Sequence, residues 1–203
     1  MIDDEVKSKI LEVAKEEFLN KGYLDASMRN IALKANLTTG SLYNRFADKN
    51  EIFNALVKNA GDKLLSYFKH AQQEFATFTP QNQLNELHSY VDLKVKNIVD
   101  IIYSDFDAFK LIVCSGYGSS YEYFIDEMID IETENTFRFI DDLKSAGIKI
   151  NNVRHDFAHI IASSLFNGMF EVVRHDLIKE DALIYIRDLE NFFKAGWDII
   201  LGI

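Results

Sequence analysis

The stretch LTTGSLYNRF, Leu37 to Phe46, is too short to bury much and too patterned to be a random loop. Leu42 and Phe46 lie four residues apart and define one side of a helical turn. At 100° per residue Gly40 and Asn44 then face away from that side, with Ser41, Tyr43 and Arg45 on the flanks and Thr39 near the start. The outward surface is polar and slim, which suits a helix lying in a DNA major groove. Gly40 has no side chain to hold the backbone off a duplex. Thr39 and Ser41 suit base edges or phosphates, Tyr43 suits a phosphate, and Arg45 suits a phosphate or a guanine. The competing reading of the same spacing is a plain surface helix between two longer ones.

The segments on either side support the first reading. A helix over about Asp3 to Lys21 presents Ile10, Ala14 and Phe18 on one face, with Gly22 placed as its C-terminal cap. A second begins near the N-cap candidate Ser27 and turns Met28, Ile31, Ala32 and Ala35 inward. Asn36 follows, a residue that tolerates the left-handed backbone of a tight turn. After the stretch, Asp48 to Glu51 reads as a capping box opening a long fourth helix with Ile52, Phe53, Leu56, Ala60 and Leu64 inward. Lys49 sits at that helix start, where free backbone N–H groups favour a phosphate.

Charge on its face argues the other way, because the chain carries a net −10. Residues 1–60 hold nine basic and nine acidic side chains, so the whole excess lies beyond them. Within residues 26–50, Arg29, Lys34, Arg45 and Lys49 face one acid, Asp48. At physiological salt a distant acidic body is screened beyond about 8 Å. Segregation therefore permits a close contact with DNA while weakening non-specific attraction.

Working outward, apolar residues recur at three- and four-residue spacing almost throughout, with a single proline. This predicts an all-α fold. TFTPQNQ, residues 77–83, reads as a linker. Further helices are predicted over 83–102, 105–114, 120–145, 155–178 and 181–201, broken by SGYGSS, AGIKINN and KED. No apolar run reaches the roughly 18 residues of a membrane helix, and the charged N-terminus does not read as a signal peptide. Lone Cys114 excludes an internal disulfide and fits a reducing cytoplasm. After the apolar FKLIV it reads as a buried, inert thiol. His155 and His159 are spaced to share a metal, but Asp156 stands where a zinc hydrolase needs glutamate, and no third ligand is evident. With no phosphate loop, dinucleotide fingerprint or serine elbow, the expectation is no metal, no cofactor and no enzyme.

Lys9 to Val57 resembles the N-terminal domain of the TetR/AcrR family of transcriptional repressors. The points of likeness run in order: Phe18, Gly22, Tyr23, Arg29, Ile31, Ala32, Gly40, Ser41, Leu42, Tyr43, Phe46 and Lys49. The resemblance implies a three-helix helix-turn-helix head, residues 1–50, and a larger helical ligand-binding and dimerisation domain, residues 51–203. It also implies DNA contacts from Ser27 and Arg29 on the second helix, from Thr38, Thr39, Gly40, Ser41, Tyr43, Asn44 and Arg45 on the recognition helix, and from Lys49. Asn36 stands where the family usually has glycine, and Ala26 replaces a frequent hydroxyl residue.

Beyond residue 60 the reading is physical. Tyr67, Phe68, Tyr90, Phe106, Phe109, Tyr117, Tyr121, Phe124, Met128, Phe166 and Phe170 are candidates for an apolar pocket, although such residues are more often simple core. Lys94, Lys96 and Arg138 are candidate anion anchors. Leu165, Gly168, Met169 and Val172, with Leu183, Ile186, Leu189, Phe193, Trp197 and Ile200, form two stripes suited to a four-helix dimer interface. The expected protein is a cytoplasmic, homodimeric regulator, in the first instance a repressor, that binds double-stranded operator DNA and a small, mostly apolar effector, with no membrane partner. The alternative is a helical ligand-binding or interaction protein with a non-functional head.

Overall fold

The computed structural model describes residues 2–203, and all regular structure among them is helical. In chain order the α-helices are α1 (Ile2–Asp25), α2 (Met28–Lys34), α3 (Thr39–Tyr43), α4 (Lys49–Phe75), α5 (Pro80–Ser104), α6 (Phe106–Lys110), α7 (Phe124–Ser145), α8 (His155–Arg174) and α9 (Lys179–Leu201). A single π-turn, Leu111–Ser115, follows α6. Packing divides the chain into two units. The first holds the residues up to Asp62 together with Asp105–Phe124, and the second holds Lys63–Ser104 and Ile125–Ile203. This division differs from a simple cut after residue 50.

In the first unit, α1 turns Ile10, Ala14 and Phe18 inward, α2 adds Ile31, α3 adds Leu42, and α4 adds Ile52, Phe53 and Val57. All are buried. Phe18 meets Phe53 edge-on at 5.1 Å, and Tyr23 closes the group by stacking on Phe18 at 5.9 Å. Tyr23 reaches that position because Gly22 breaks α1 with a φ of 74°, where a β-carbon would be strained. Asn36, at φ 58°, makes the left-handed turn between α2 and α3. Asp48 accepts from the Glu51 backbone N–H at 2.8 Å, while the Glu51 carboxylate reaches back to the Ala47 N–H, one residue earlier than the usual box.

Glu17 is the buried charge of this unit, 1% exposed. It is bonded by Lys21 at 3.0 Å from its own helix and by Lys34 at 3.0 Å and Asn30 at 3.3 Å from α2. Burial pushes the carboxyl up. The hydrogen bonds from Lys21, Lys34 and Asn30 outweigh that and hold it at about 2.

The second unit is built from the rest of α4 with α5, α7, α8 and α9. Phe139, Ile140, Leu143 and Leu201 form a core cluster against which Phe75, Leu84, Leu87 and Trp197 pack. Phe68 meets Phe166 edge-on at 5.4 Å. α9 is held along α5 by Lys179–Asp100 at 2.7 Å, by Lys194–Asp92 and by His88–Asp198 at 3.1 Å.

Three sequence expectations change. TFTPQNQ is a tight turn, not a linker: Thr79 Oγ1 caps α5 by accepting from Asn82 N–H at 3.3 Å, and Pro80 is the first helical residue, where its missing N–H costs nothing. The break before α7 extends to Tyr123, because Gly118 sits at φ 83° and Ser119 hydrogen-bonds Gly116 O at 2.6 Å. Cys114 is exposed, because the π-turn re-phases the helix so that Ser115, not Cys114, points inward.

Because Glu17 is more acidic in the folded state than in the unfolded chain, its stabilisation is complete above its unfolded pKa. It is lost as pH falls through about 2. Glu17→Ala is expected to cost about 1–2 kcal/mol at neutral pH. Thermal melts of the two proteins should converge between about pH 4.5 and 2.

Candidate nucleic-acid interface and ligand cavity

α3 has five residues, fewer than a helix needs to stand alone, so its neighbours hold it. Leu42 is fully buried and Phe46 nearly so. Thr38 caps the helix, its Oγ1 accepting from Ser41 N–H at 3.1 Å. The face this leaves outward carries Thr39, Gly40, Tyr43 and Asn44, all exposed, with Arg29 exposed on α2. The phasing read from Leu42 and Phe46 is therefore the phasing observed.

The remaining candidates are engaged within the fold. Ser27 caps α2, accepting from Asn30 N–H at 3.4 Å. Arg45 is half-buried, its Nε on Asp3 at 2.8 Å and its Nη1 on the carbonyl and hydroxyl of Ser41 at 3.0 and 2.9 Å. Lys49 Nζ donates to Leu24 O at 2.9 Å and Ala26 O at 3.2 Å and sits 4.5 Å from the Tyr23 ring centroid. Burial holds its ammonium below the usual lysine range. Lys49 thus ties the end of α1 to the start of α4. Sequence reasoning missed this because carbonyl partners leave no mark in side-chain chemistry.

In the second unit a cavity of about 160 Å³ is lined by α4, α5, α7 and α8, including Phe68, Phe75, Tyr90, Phe139 and Phe166. A neighbouring chamber of about 130 Å³ shares the Leu87, Val91, Val95, Glu132 and Phe139 wall and adds Glu190, Phe193, Lys194 and Trp197 from α9. Of the predicted pocket residues, Phe68, Tyr90 and Phe166 line it. Met128 and Phe170 are core of the second unit. Phe109 and Phe124 are core of the first unit, where Tyr121 packs 6.1 Å from Phe124. Phe106, also in the first unit, is half-buried, and Tyr117 is 71% exposed. Tyr67 is half-buried and accepts from Asn97 at 2.9 Å. Lys94 lines the cavity but is bonded to Glu74 at 2.7 Å, while Lys96 and Arg138 are exposed. His155 stacks on Phe137 at 5.0 Å, and no group of metal-binding side chains occurs among the described residues.

The predicted interface stripes are largely spent inside the chain. Met169, Val172 and Ile186 are buried, Phe193 and Trp197 line the chamber, and a β-carbon on Gly168 would lie 3.2 Å from Leu189. Leu165 lines both chambers, and Leu183, Leu189 and Ile200 are half-buried. The exposed apolar side chains of these helices are a different set, about a third of a turn away: Phe157 and Ile160 on α8, and Ile184, Phe192 and Ile199 on α9.

A three-helix head that presents a short polar helix, capped and pinned from behind, is the arrangement of a helix-turn-helix DNA-binding protein. Residues 10–56 match the family described as bacterial regulatory proteins, tetR family, so the head of this chain is similar to the heads of those transcriptional regulators. It is 24% identical over 183 residues to the HTH-type transcriptional activator FasR of Mycolicibacterium smegmatis, a match covering 89% of this chain and 78% of that one. With the regulator UidR of Escherichia coli K12 it shares 25% identity over 107 residues, 53% of this chain and only 48% of UidR. A TetR-like transcriptional regulator from Rhodococcus sp. RHA1 has the same fold, with a TM-score of 0.60 over 95% of each chain at 17% identity.

The geometry separates two kinds of candidate. Lys49→Met removes two carbonyl contacts and is expected to lower head stability by about 1 kcal/mol or more. Tyr43→Ala, on the exposed face, should leave the melting temperature nearly unchanged. Thermal unfolding of both variants checks this.

Proposed function

We propose that the protein is a homodimeric regulator whose α3 reads operator DNA and whose second-unit cavity takes a small, mostly apolar effector that changes DNA affinity. The observation that carries the DNA-binding part is the outward face of α3: Thr39, Gly40, Tyr43 and Asn44 are exposed together while Leu42 and Phe46 anchor the helix from behind. Arg45 joins that face by exchanging Asp3 for a phosphate, a swap between two oxyanions. Lys49 supports the face from within.

The effector part rests on the cavity and on α4. That helix runs unbroken from Lys49 at the head to Phe75, and its Phe68, Ala71, Gln72 and Phe75 line the cavity. A ligand pressed against those residues acts on the same element that Lys49 and the Asp48 cap fasten to the head. Pairing is assigned to the exposed face of α8 and α9, because Phe157, Ile160, Ile184, Phe192 and Ile199 form an apolar surface that a monomer would leave in water. Two α3 helices read successive major grooves when the pair holds them about 34–36 Å apart. The relative FasR is an activator. Repression is retained as the simplest outcome of a bound dimer obstructing a promoter.

On an operator selected from random-sequence DNA, Asn44→Ala or Thr39→Ala should cost about 1–3 kcal/mol and relax sequence preference. Tyr43→Ala should weaken all sequences alike and flatten the salt slope by about one. Unchanged binding by a variant carrying Thr39→Ala, Tyr43→Ala and Asn44→Ala together, in an electrophoretic shift assay, would remove α3 from the reading. Phe192→Asp is expected to give monomers in sedimentation, and a dimer of undiminished strength would move the interface elsewhere. Any compound that raises the melting temperature by occupying the cavity should shift operator affinity by about 1–3 kcal/mol, and the operator should shift its affinity equally.

A further inference from the structure

The chamber beside α9 has an imbalance that the effector reading does not use. Its wall is apolar over most of its extent, with Phe139, Phe193 and Trp197 the largest contributors. Glu190 stands in that wall, and among the described residues its Oε1 is buried with no hydrogen-bond partner. Burial, with nothing to offset it, pushes this carboxyl up to about 7. The cation one turn along, Lys194, does not answer it, because its ammonium sits on Asp92 of α5. His88 lies 3.1 Å from Asp198 and is likewise taken up by an acid. Glu132, from α7, adds a further carboxyl to the wall beside Glu190 and Asp198, and it accepts from Gln72 Nε2 at 2.7 Å. The chamber thus combines aromatic walls with a buried carboxyl oxygen, Glu190 Oε1, that lacks a donor.

We propose that this chamber is the site of a lipophilic amine, its N–H groups bonded to Glu190 and its apolar body set among Phe139, Phe193 and Trp197. The assignment names the chemical class of the effector and rests on the reading of this cavity as the effector site. An ammonium group supplies both missing things at once, a donor for Oε1 and a counter-charge for a carboxylate that the apolar wall otherwise penalises. A carboxylate ligand would instead bring a further acid beside Glu190, Glu132 and Asp198, at a cost that the paired Lys194 does not relieve. The neighbouring chamber of about 160 Å³, across the shared Val91, Val95 and Phe139 wall, leaves room for the body of the amine to extend toward Phe68 and Phe166.

The chain holds one tryptophan, Trp197, and it lines this chamber, so its emission reports occupancy directly. The experiment titrates phenylbutylamine, phenylbutanol and phenylbutanoate into the full-length protein at neutral pH, with no DNA present. Phenylbutylamine is expected to change Trp197 emission saturably and to bind at least about tenfold more tightly than phenylbutanoate. Glu190→Gln should weaken the amine about tenfold while moving the alcohol less than about threefold, which also shows that the variant keeps its chamber. Binding of phenylbutanoate as tightly as the amine, an amine affinity untouched by Glu190→Gln, or no saturable response to the amine would each overturn the assignment. Because DNA is absent, failure here does not touch the coupling between cavity and operator. An amine that binds with these preferences but leaves operator affinity unmoved would overturn the effector reading and leave the amine site standing.

Discussion

A helix of five residues cannot pay its own nucleation cost, so everything the head does depends on how α3 is held. Two side chains anchor it, Leu42 and Phe46, and one hydroxyl, that of Thr38, closes its first turn. The left-handed Asn36 turns the chain into α3 from α2. Behind them, the Phe18, Tyr23 and Phe53 rings form the packed base of the head, and Gly22 allows Tyr23 to reach it. With this support, the outward face is free to be small and polar, because none of its side chains is needed for folding.

The basic residues of the head are used differently from one another. Lys34 offsets the buried charge of Glu17, Lys49 satisfies two carbonyls at the end of α1, and Arg45 pairs with Asp3. Arg29 remains exposed. The positive balance counted over residues 26–50 is therefore an upper bound on what a duplex would meet. Much of it is spent inside the head, where an unpaired partner would be costly.

In the second unit the contrast lies between α5 and α9. Lys179 and Lys194 pair with Asp100 and Asp92, and the His88 ring lies against Asp198, so these groups are committed to fastening the two helices together. Glu190 is left on the apolar side. An acid whose pKa is held near 7 by burial is a cost to folding, and a cavity is the place where such a cost has a use. The same face of α9 that carries Glu190 also carries Phe193 and Trp197. What reads in sequence as a dimer stripe thus forms a chamber wall, and the exposed apolar residues fall about a third of a turn away.

Local pattern was enough for the helices, the caps at Ser27, Thr38 and Asp48, the Asn36 turn and the outward face of α3, because each follows from bonds and periodicity within a few residues. Two acids on inward-packing faces stand out in the sequence: Glu190 interrupts the apolar series Ile186, Phe193, Trp197, and Glu132 lies between Met128 and Phe139. The partners of Arg45 and Lys49 were not readable, since Asp3, Leu24 and Ala26 are brought to them only by packing. Which aromatics line a cavity was equally hidden. Phe109 and Phe68 look alike in sequence, yet one fills the core of the first unit and the other borders open space in the second. The sequence by itself determined the helical class, the family likeness of the head and the phase of its exposed helix, because these depend on neighbours three and four residues apart. Tertiary structure alone decided which charges are free, which stripe faces solvent and where the cavity lies, because those depend on residues that meet only when helices pack.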